Sequence, residues 1–211
     1  MKHLWVRAEQ RDNETRVGLT PEGARTLLES GLDITVERSP SRVIADDDFA
    51  AAGCTMVPGH SWPDAPADAI IFGLKELPEG DAPLTHRHIM FGHAFKGQPA
   101  GLRLLRRFKS GGGALLDLEY LTDETGRRVA AFGYWAGYAG AAVTLKCWIA
   151  QQRGTLCGPV SAYPSSTHLL AELQSDLVAI GTQRPTALVI GALGRVGTGA
   201  ADLCTAIPIV S

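Results

Sequence analysis

The stretch that most directly predicts the fold covers residues 70–98 and reads IIFGLKELPEGDAPLTHRHIMFGHAFKGQ. It contains two apolar runs, and ionisable groups follow each of them: Lys75 and Glu76 after the first run, and His93 after the second. Apolar runs of this length are typical of buried strands in a parallel sheet. Because open α/β sheets bind ligands at the carboxyl ends of such strands, the stretch predicts a ligand site where these two strands end.

Lys75 and His93 carry the amine and the imidazole that enzymes use to move protons. Taken alone, each has an ordinary alternative, since a strand-end lysine can simply reach solvent and a strand-end histidine can be purely structural. Two successive strands deliver the two groups to the same end of the predicted sheet. We therefore interpret Lys75 and His93 as a candidate acid–base pair.

The composition argues against polyanionic and membrane partners. The 211 residues are 45% hydrophobic and 20% charged, with a net charge of -2, so there is no basic field for nucleic acid. No apolar run approaches the roughly 20 residues that cross a bilayer, and the four cysteines lack metal-ligand spacing. We expect a cytoplasmic protein that binds a small molecule, with no metal, nucleic acid or membrane. One basic cluster has the spacing of a solvated helix face: Arg103, Arg106, Arg107 and Lys109.

Strand and helix patterns alternate through the first part of the chain. Strands are predicted at 3–9, 33–38, 55–57 and 114–121, in addition to the two in the stretch 70–98. Helices are predicted at 21–30, 46–52 and 99–109. This alternation predicts a first α/β domain with mostly parallel strands over residues 1–133.

Residues 134–211 are predicted to form the beginning of a second domain. The pattern at 134–152 is a long helix that is apolar on all sides, as expected for a helix buried between two domains. An amphipathic helix is predicted at 167–180, and an apolar strand at 186–190.

A glycine turn follows this strand, with Gly191, Gly194 and Gly197 at the start of a helix predicted at 195–205. Such glycines allow a tight turn and close approach of a pyrophosphate to a helix N-terminus, although a plain βα turn is the alternative. The acidic residue that binds the ribose is due about 20 residues further on, where the printed sequence ends. We therefore expect an incomplete dinucleotide-binding domain with weak NAD binding, and an exposed apolar surface that favours self-association.

Six motifs occur in order along nearly the whole chain: RVGLTP (16–21), GLKELP (73–78), HIMFGHAFKGQ (88–98), DLEYL (117–121), GRRVAAFGYWAGYAG (126–140) and GALGRVG (191–197). Together they resemble the NAD-dependent, lysine-forming saccharopine dehydrogenases. These enzymes are relatives of alanine dehydrogenase and of the NAD-binding subunit of transhydrogenase. The resemblance implies an α/β fold of two Rossmann-like domains with parallel sheets, the second of which is incomplete in this chain.

The resemblance also implies a reaction, the NAD-dependent oxidative deamination of saccharopine to L-lysine and 2-oxoglutarate, with Lys75 and His93 as the acid–base pair. Substrate-binding positions implied by the match, together with neighbouring carboxylates, are Arg16, Glu76, Lys96, Gln98, Glu119, Arg128 and Phe132. Cofactor-binding positions implied by the match are Arg127, Gly191, Gly194, Arg195 and Gly197.

Two alternatives stay open. One is a related amino-acid or imine dehydrogenase of the alanine dehydrogenase kind, and the other is a non-catalytic remnant that binds an amino acid or a partner. Arg127 and Arg128, together with Lys96, favour a larger and more acidic substrate than alanine, because guanidinium groups bind carboxylates in a bidentate way.

Overall fold

Six parallel strands form one sheet in the first of two compact units. The computed structural model describes residues 2–11, 13–95 and 97–207, and the chain divides into units 1–130 and 131–211. The sheet order is β3-β2-β1-β4-β5-β6, and every neighbouring pair is parallel. The strands are β1 (His3–Val6), β2 (Asp33–Glu37), β3 (Thr55–Val57), β4 (Ile70–Phe72), β5 (Arg87–Met90) and β6 (Ala114–Asp117). The predicted α/β fold with a parallel sheet is confirmed.

The strand order reverses direction between β1 and β4. On each side of this point, strands that are consecutive in the chain are also neighbours in the sheet. At the point itself, β1 lies between β2 and β4. Doubly wound sheets bind ligands outside the carboxyl ends of the strands at such a topological switch point. A ligand site is therefore expected at the residues that follow β1 and β4.

Three helices connect the strands of the first unit: α1 (Pro21–Glu29), α2 (Asp46–Ala51) and α3 (Pro99–Gly111). The start of α1 is the one predicted, because Thr20 Oγ1 accepts a hydrogen bond of 3.1 Å from the Gly23 N–H and Pro21 occupies the first turn. Gly112, with φ 76°, ends α3 in the left-handed conformation that glycine adopts without strain.

Alternation along the strands divides the core of this unit between the two faces of the sheet. Leu4 and Val6 belong to one apolar cluster with Phe49 of α2, whereas Trp5 belongs to another with Phe108 of α3. Successive strand residues point to opposite faces, so both faces of the sheet are covered. This double burial explains why the strands are apolar runs.

The buried carboxylate of Glu37, at the end of β2, is held by four N–H groups. It accepts hydrogen bonds from Trp5 Nε1 (3.0 Å) and from the backbone N–H groups of Ala8 (2.7 Å), His60 (2.8 Å) and Trp62 (2.6 Å). A buried carboxylate is tolerated when such donors replace its water shell. Glu37 thereby links the segments that follow β1 and β3.

The second unit contains three helices: α4 (Tyr134–Gln152), α5 (Ser166–Ala179) and α6 (Arg195–Ala206). The bounds of α4 are those predicted from the sequence. α4 and α6 touch through their backbones, because a Cβ at Gly137 would lie 1.8 Å from the Val196 carbonyl oxygen and a Cβ at Gly199 would lie 1.9 Å from the Tyr134 carbonyl oxygen. Leu145, Leu173 and other buried side chains complete the core of this unit.

Five expectations about secondary structure and burial are corrected. The strand predicted at 3–9 ends at Val6. Arg107, predicted on a solvated helix face, is buried and donates to the carbonyl oxygens of Pro78 and Ala82 (2.9 Å each). The strand predicted at 114–121 ends at Asp117, where the Asp117 side chain accepts the Glu119 N–H and starts a 3-10 helix over Leu118–Tyr120. No strand forms over 186–190, where Thr186 alone takes part in a bridge. The helix α4 is buried on one side only, since Trp135 is 64% exposed.

No helix in the ranges that the structure describes has both the length and the apolar character that crossing a membrane requires. The assignment of the two units as a substrate domain and a dinucleotide-binding domain stays a prediction.

His88 of β5 is a buried imidazole in the core of the first unit. It is 1% exposed, and its ring packs edgewise against Trp62 (5.1 Å between centroids) and Phe108 (5.4 Å). Neither ring nitrogen has a hydrogen-bond partner among the described residues. Burial lowers the pKa of His88 from 6.5 to about 3, and the positive charge of Arg7 acts in the same direction. The ring is therefore neutral in the folded protein.

We predict that Gly137→Ala destabilises the second unit by about 2–3 kcal/mol, because the new methyl group would force α4 and α6 apart. Gly140→Ala is the matched control in the same helix: a Cβ there meets nothing within 4 Å, so we expect a gain of about 0.5–1 kcal/mol from helix propensity. Urea unfolding followed by helical circular dichroism measures both. Equal effects of the two substitutions would contradict the backbone contact.

We predict that the first unit loses stability as the pH falls from about 6.5 towards 3. The unfolded chain binds a proton at His88 near the ordinary pKa and the folded chain does so only near pH 3, so this group contributes a slope of about 1.4 kcal/mol per pH unit. His88→Leu should remove that part of the slope, whereas His168→Leu, on the exposed part of α5, should retain it. Urea unfolding followed through the strand amides by NMR tests this, and an unchanged slope in His88→Leu would contradict it.

Candidate active site

Lys75 and His93 emerge at the same edge of the sheet. Lys75 follows β4 and His93 follows β5, and these two strands are neighbours and parallel, with Phe72 opposite Ile89. His93 has φ 48°, which places its backbone in the left-handed region. The structure therefore brings the ends of the two predicted strands together, which is the arrangement that the acid–base interpretation requires.

The Lys75 amine lies beside a carboxylate that it shares with an arginine. Its Nζ is 3.9 Å from Glu14 Oε2, and Arg16 donates to both Glu14 oxygens, with Nε 2.7 Å from Oε1 and Nη2 2.5 Å from Oε2. The hydrogen bond from Arg16 lowers the pKa of Glu14, and the charge of Lys75 acts in the same direction. Glu14 is therefore a carboxylate, and it pairs Lys75 with Arg16.

His93 lies beside a second carboxylate that is shared in the same way. Its Nδ1 is 3.9 Å from Glu119 Oε2, and Arg128 Nη1 is 2.9 Å from Glu119 Oε1. Asp117 helps to place Glu119, since its Oδ1 accepts the N–H groups of Gly92 (3.2 Å) and Glu119 (3.0 Å). Each candidate proton carrier thus has a carboxylate within 4 Å that also binds a guanidinium group.

This repeated arrangement has a chemical use. A carboxylate next to an amine or imidazole gives that group a counterion while it carries a proton, as a group that moves protons must at one stage of a reaction. The guanidinium on the other side of each carboxylate is half exposed: the side chains of Arg16 and Arg128 are 59% and 40% accessible. They can therefore also meet an anionic substrate.

A cleft of about 600 Å³ opens beside His93. Gln98, which precedes α3, and Glu76 also line it, so three of the predicted positions share this cleft. Arg11 on its wall forms an ion pair with Glu76. Burial works to raise the pKa of Glu76, but the hydrogen bond from Arg11 and the charge of Lys75 outweigh it, so that the pKa is lowered.

Three further predicted positions are Arg127, Phe132 and Lys96. Arg127 is exposed, and its backbone N–H donates to Asp123 Oδ1 (3.0 Å). Phe132 belongs to the second unit and is 76% exposed. Lys96 lies outside the described residues. The roles predicted for all of these residues stay predictions.

Sequence reasoning missed the carboxylates that organise this edge. Glu9 and Asp117 lie within the strands predicted at 3–9 and 114–121 and had no predicted role, and Glu14 lies between predicted elements. Glu14 had one available signal, because it precedes the motif arginine Arg16 by two residues. Glu9 had none, since the N–H groups that it binds belong to residues 65 and 66 positions away.

The glycine turn of the second unit leads directly into α6. Gly191 has φ 80° and its Cβ position meets nothing within 4 Å, so the turn is open there. Gly194 precedes α6, and its N–H closes the turn on the Gly191 carbonyl oxygen (2.9 Å). A Cβ at Gly197 would lie 2.0 Å from that oxygen, so the helix packs directly on the turn. This open turn at a helix N-terminus fits a pyrophosphate.

The family of the chain follows from comparison with known proteins. Residues 5–139 match the family model described as "Alanine dehydrogenase/PNT, N-terminal domain". The chain belongs to the alanine dehydrogenase/PNT family. The matched residues include the two pairs of the candidate site, Lys75 with Glu14 and His93 with Glu119.

Within that family the chain is similar to curated fungal enzymes named saccharopine dehydrogenase (NAD(+), L-lysine-forming). It is 48% identical to the one from Yarrowia lipolytica and 46% identical to the one from Schizosaccharomyces pombe, with 98% of this chain aligned in each case. The chain spans about 58% of the length of these two relatives. The resemblance identified in the sequence motifs is confirmed.

Two solved structures share the fold. A protein titled L-alanine dehydrogenase aligns over 98% of this chain and 53% of its own, with a TM-score of 0.51 at 16% identity. A transhydrogenase from Sinorhizobium meliloti aligns over 100% of this chain and 64% of its own, with a TM-score of 0.52 at 16% identity. At these identities the likeness supports the Rossmann-like α/β fold alone.

We predict that Arg16→Met raises the pKa of the Glu14 carboxyl group, because the hydrogen bond from Arg16 is the largest cause of its lowering. Carboxyl-carbon NMR titration of the chain measures it. Arg25→Met, an exposed change on α1, is the control and should leave Glu14 where it is. A Glu14 titration that does not move in Arg16→Met would contradict the shared-carboxylate arrangement.

Proposed function

We propose that the complete protein oxidises saccharopine with NAD, producing L-lysine and 2-oxoglutarate. The observation that carries this proposal is the pair of Lys75 and His93 at one sheet edge, each beside a carboxylate shared with an arginine. The similarity to two enzymes whose names state this reaction supports it. Because the chain spans about 58% of those enzymes, the proposal concerns the whole protein.

The reaction needs proton transfers that these two residues can perform. Lys75 takes the proton of the secondary amine, which leaves a lone pair to form the C=N bond when the hydride departs. His93 then removes a proton from the water that attacks the imine and returns it to the departing lysine amine. Such transfers require groups that accept and release protons near neutral pH. Glu14 and Glu119, each 3.9 Å from one of these groups, are the counterions present while Lys75 or His93 carries a transferred proton.

The substrate proposed is rich in carboxylates, and the site offers guanidinium groups for them. Arg16 and Arg128 are held by Glu14 and Glu119, so their direction is set before a substrate arrives. Gln98 adds an amide to the cleft beside His93. Fixed arginines favour a substrate with several carboxylates over alanine, whose single carboxylate would leave one guanidinium group without a substrate partner.

NAD, when bound, accepts the hydride from the carbon that becomes the imine. We propose that Gly191, Gly194 and Gly197 shape the turn that holds its pyrophosphate, with Arg195 at the start of α6 and Arg127 as further contacts. The open backbone at Gly191 and the direct packing of Gly197 support this role.

The test joins residues 1–207 of this chain to the part of the Yarrowia lipolytica relative that lies beyond the alignment. We expect NADH formation, followed at 340 nm, with saccharopine and not with L-alanine. NADH from alanine alone would favour an alanine dehydrogenase-like reaction. A folded chimera without turnover, but with saccharopine binding to the 211-residue chain by calorimetry, would favour a non-catalytic binding function.

We predict that Lys75→Met in this chimera lowers kcat by about 100-fold or more while the Kd for saccharopine changes little, because general acid–base assistance is worth about 10²–10⁴-fold. Lys109→Met is the matched control, since Lys109 is an exposed lysine near the end of α3. Steady-state kinetics and calorimetry measure the two quantities. Unchanged turnover in Lys75→Met would refute the assignment of Lys75.

A further inference from the structure

The peptide groups around Lys75 are held by two buried charged side chains that follow β1. Glu9 accepts the backbone N–H of Leu74 at Oε1 (2.6 Å) and that of Lys75 at Oε2 (3.0 Å). Arg7 Nη2 donates to the Lys75 carbonyl oxygen. Both peptide groups of Lys75 are therefore fixed from the neighbouring strand, although Lys75 itself lies beyond the end of β4.

Arg7 and Glu9 form a pair that is almost completely buried. Arg7 Nη1 is 3.4 Å from Glu9 Oε2, and their side chains are 2% and 6% exposed. Burial lowers the pKa of Arg7, and the charge of Glu9 acts against that change. A buried ion pair contributes little net stability compared with apolar side chains of the same size. This pair nevertheless holds the peptide groups with which it forms hydrogen bonds, Glu9 as acceptor and Arg7 as donor.

Gly73 provides the space that this arrangement needs. A Cβ at Gly73 would lie 2.3 Å from Arg7 Nε and 2.5 Å from Arg7 Cζ, so any side chain there would displace the guanidinium group. The backbone N–H of Arg7 also donates to the Phe72 carbonyl oxygen (2.9 Å). The backbone at Gly73 therefore packs against the Arg7 guanidinium group at the switch point of the sheet, and Lys75 follows two residues later.

We propose that Glu9 and Arg7 are positioning residues for Lys75: they fix its backbone so that its amine points to Glu14. This inference deepens the proposed function and rests on it for its catalytic meaning. Lysine has a long and flexible side chain, so its backbone must be fixed if the amine is to occupy one place. With the peptide groups held on both sides, the side-chain rotamer alone decides where the amine lies.

Glu9→Gln is the informative substitution. The amide oxygen can accept only one of the two N–H groups, and the amide nitrogen faces the other. Asp46→Asn is the control, because Asp46 is also a carboxylate that accepts a backbone N–H, that of Ser39, and pairs with an arginine, Arg42. These contacts belong to residues 39 and 42 and not to Lys75 or to the segment that follows β1. Both changes are expected to lower stability, and only Glu9→Gln is expected to move the Lys75 amine.

The first experiment needs no turnover, so it is separate from the test of the reaction. The acylation rate of Lys75 by acetic anhydride is measured in the 211-residue chain by peptide mass spectrometry. Glu14→Gln should change this rate by about 3- to 10-fold in the wild-type background and have no effect in the Glu9→Gln background, because the amine is then no longer held near residue 14. Independent effects of the two substitutions would overturn the proposal.

The second experiment measures catalysis in the chimera. Glu9→Gln should lower kcat by about 10- to 100-fold with little change in KM, because misplacement of a catalytic group affects the chemical step. Asp46→Asn should retain kcat in the folded fraction. If Glu9→Gln does not fold, Arg7→Lys takes its place. It retains the charge beside Glu9, but its single nitrogen cannot replace both Nη1, which pairs with Glu9, and Nη2, which donates to the Lys75 carbonyl oxygen. Wild-type acylation and kcat in Arg7→Lys would overturn the proposal.

Discussion

The constraint on which this structure depends is the supply of hydrogen-bond acceptors at the carboxyl edge of the parallel sheet. Backbone N–H groups that follow the last ladder pair of each strand are buried and need partners. Side-chain carboxylates meet this need: Glu37 accepts after β1 and β3, Glu9 after β4, and Asp117 after β5. Each carboxylate stands at or just beyond the end of one strand and binds the segment that follows a neighbour. The edge that carries the candidate site is thereby made rigid without further secondary structure.

The same edge concentrates charge in a regular way. Glu14 and Glu119 each lie between an arginine and a candidate proton carrier, so that the site repeats one electrostatic unit on two adjacent segments. In such a unit, the negative charge is already compensated by the arginine before the amine or imidazole takes up a proton. Protonation then changes the net charge of the unit rather than creating an isolated buried ion, which is the costly alternative.

Most of the fold of the first unit could be predicted from the sequence, because apolar runs, a Thr-Pro helix start and a glycine stop are local signals. The positions of Lys75 and His93 could also be predicted, because both residues follow such apolar runs. What could not be predicted depends on contacts between distant residues. The pairing of Glu9 with the Lys75 N–H spans 66 residues, and no periodicity encodes it. The strand predicted at 186–190 is wrong for a related reason: an apolar run becomes a strand only when it pairs with another segment along its length, and here Thr186 alone takes part in a bridge.

His93 stands at a backbone position that would suit glycine better. With φ 48°, an L-residue there costs roughly 1–2 kcal/mol compared with ordinary backbone geometry. A library of variants selected only for heat resistance would accordingly favour the loss of the imidazole. Engineers who wish to make this protein more stable should retain His93, because at that position backbone stability and the proposed acid–base role favour different residues.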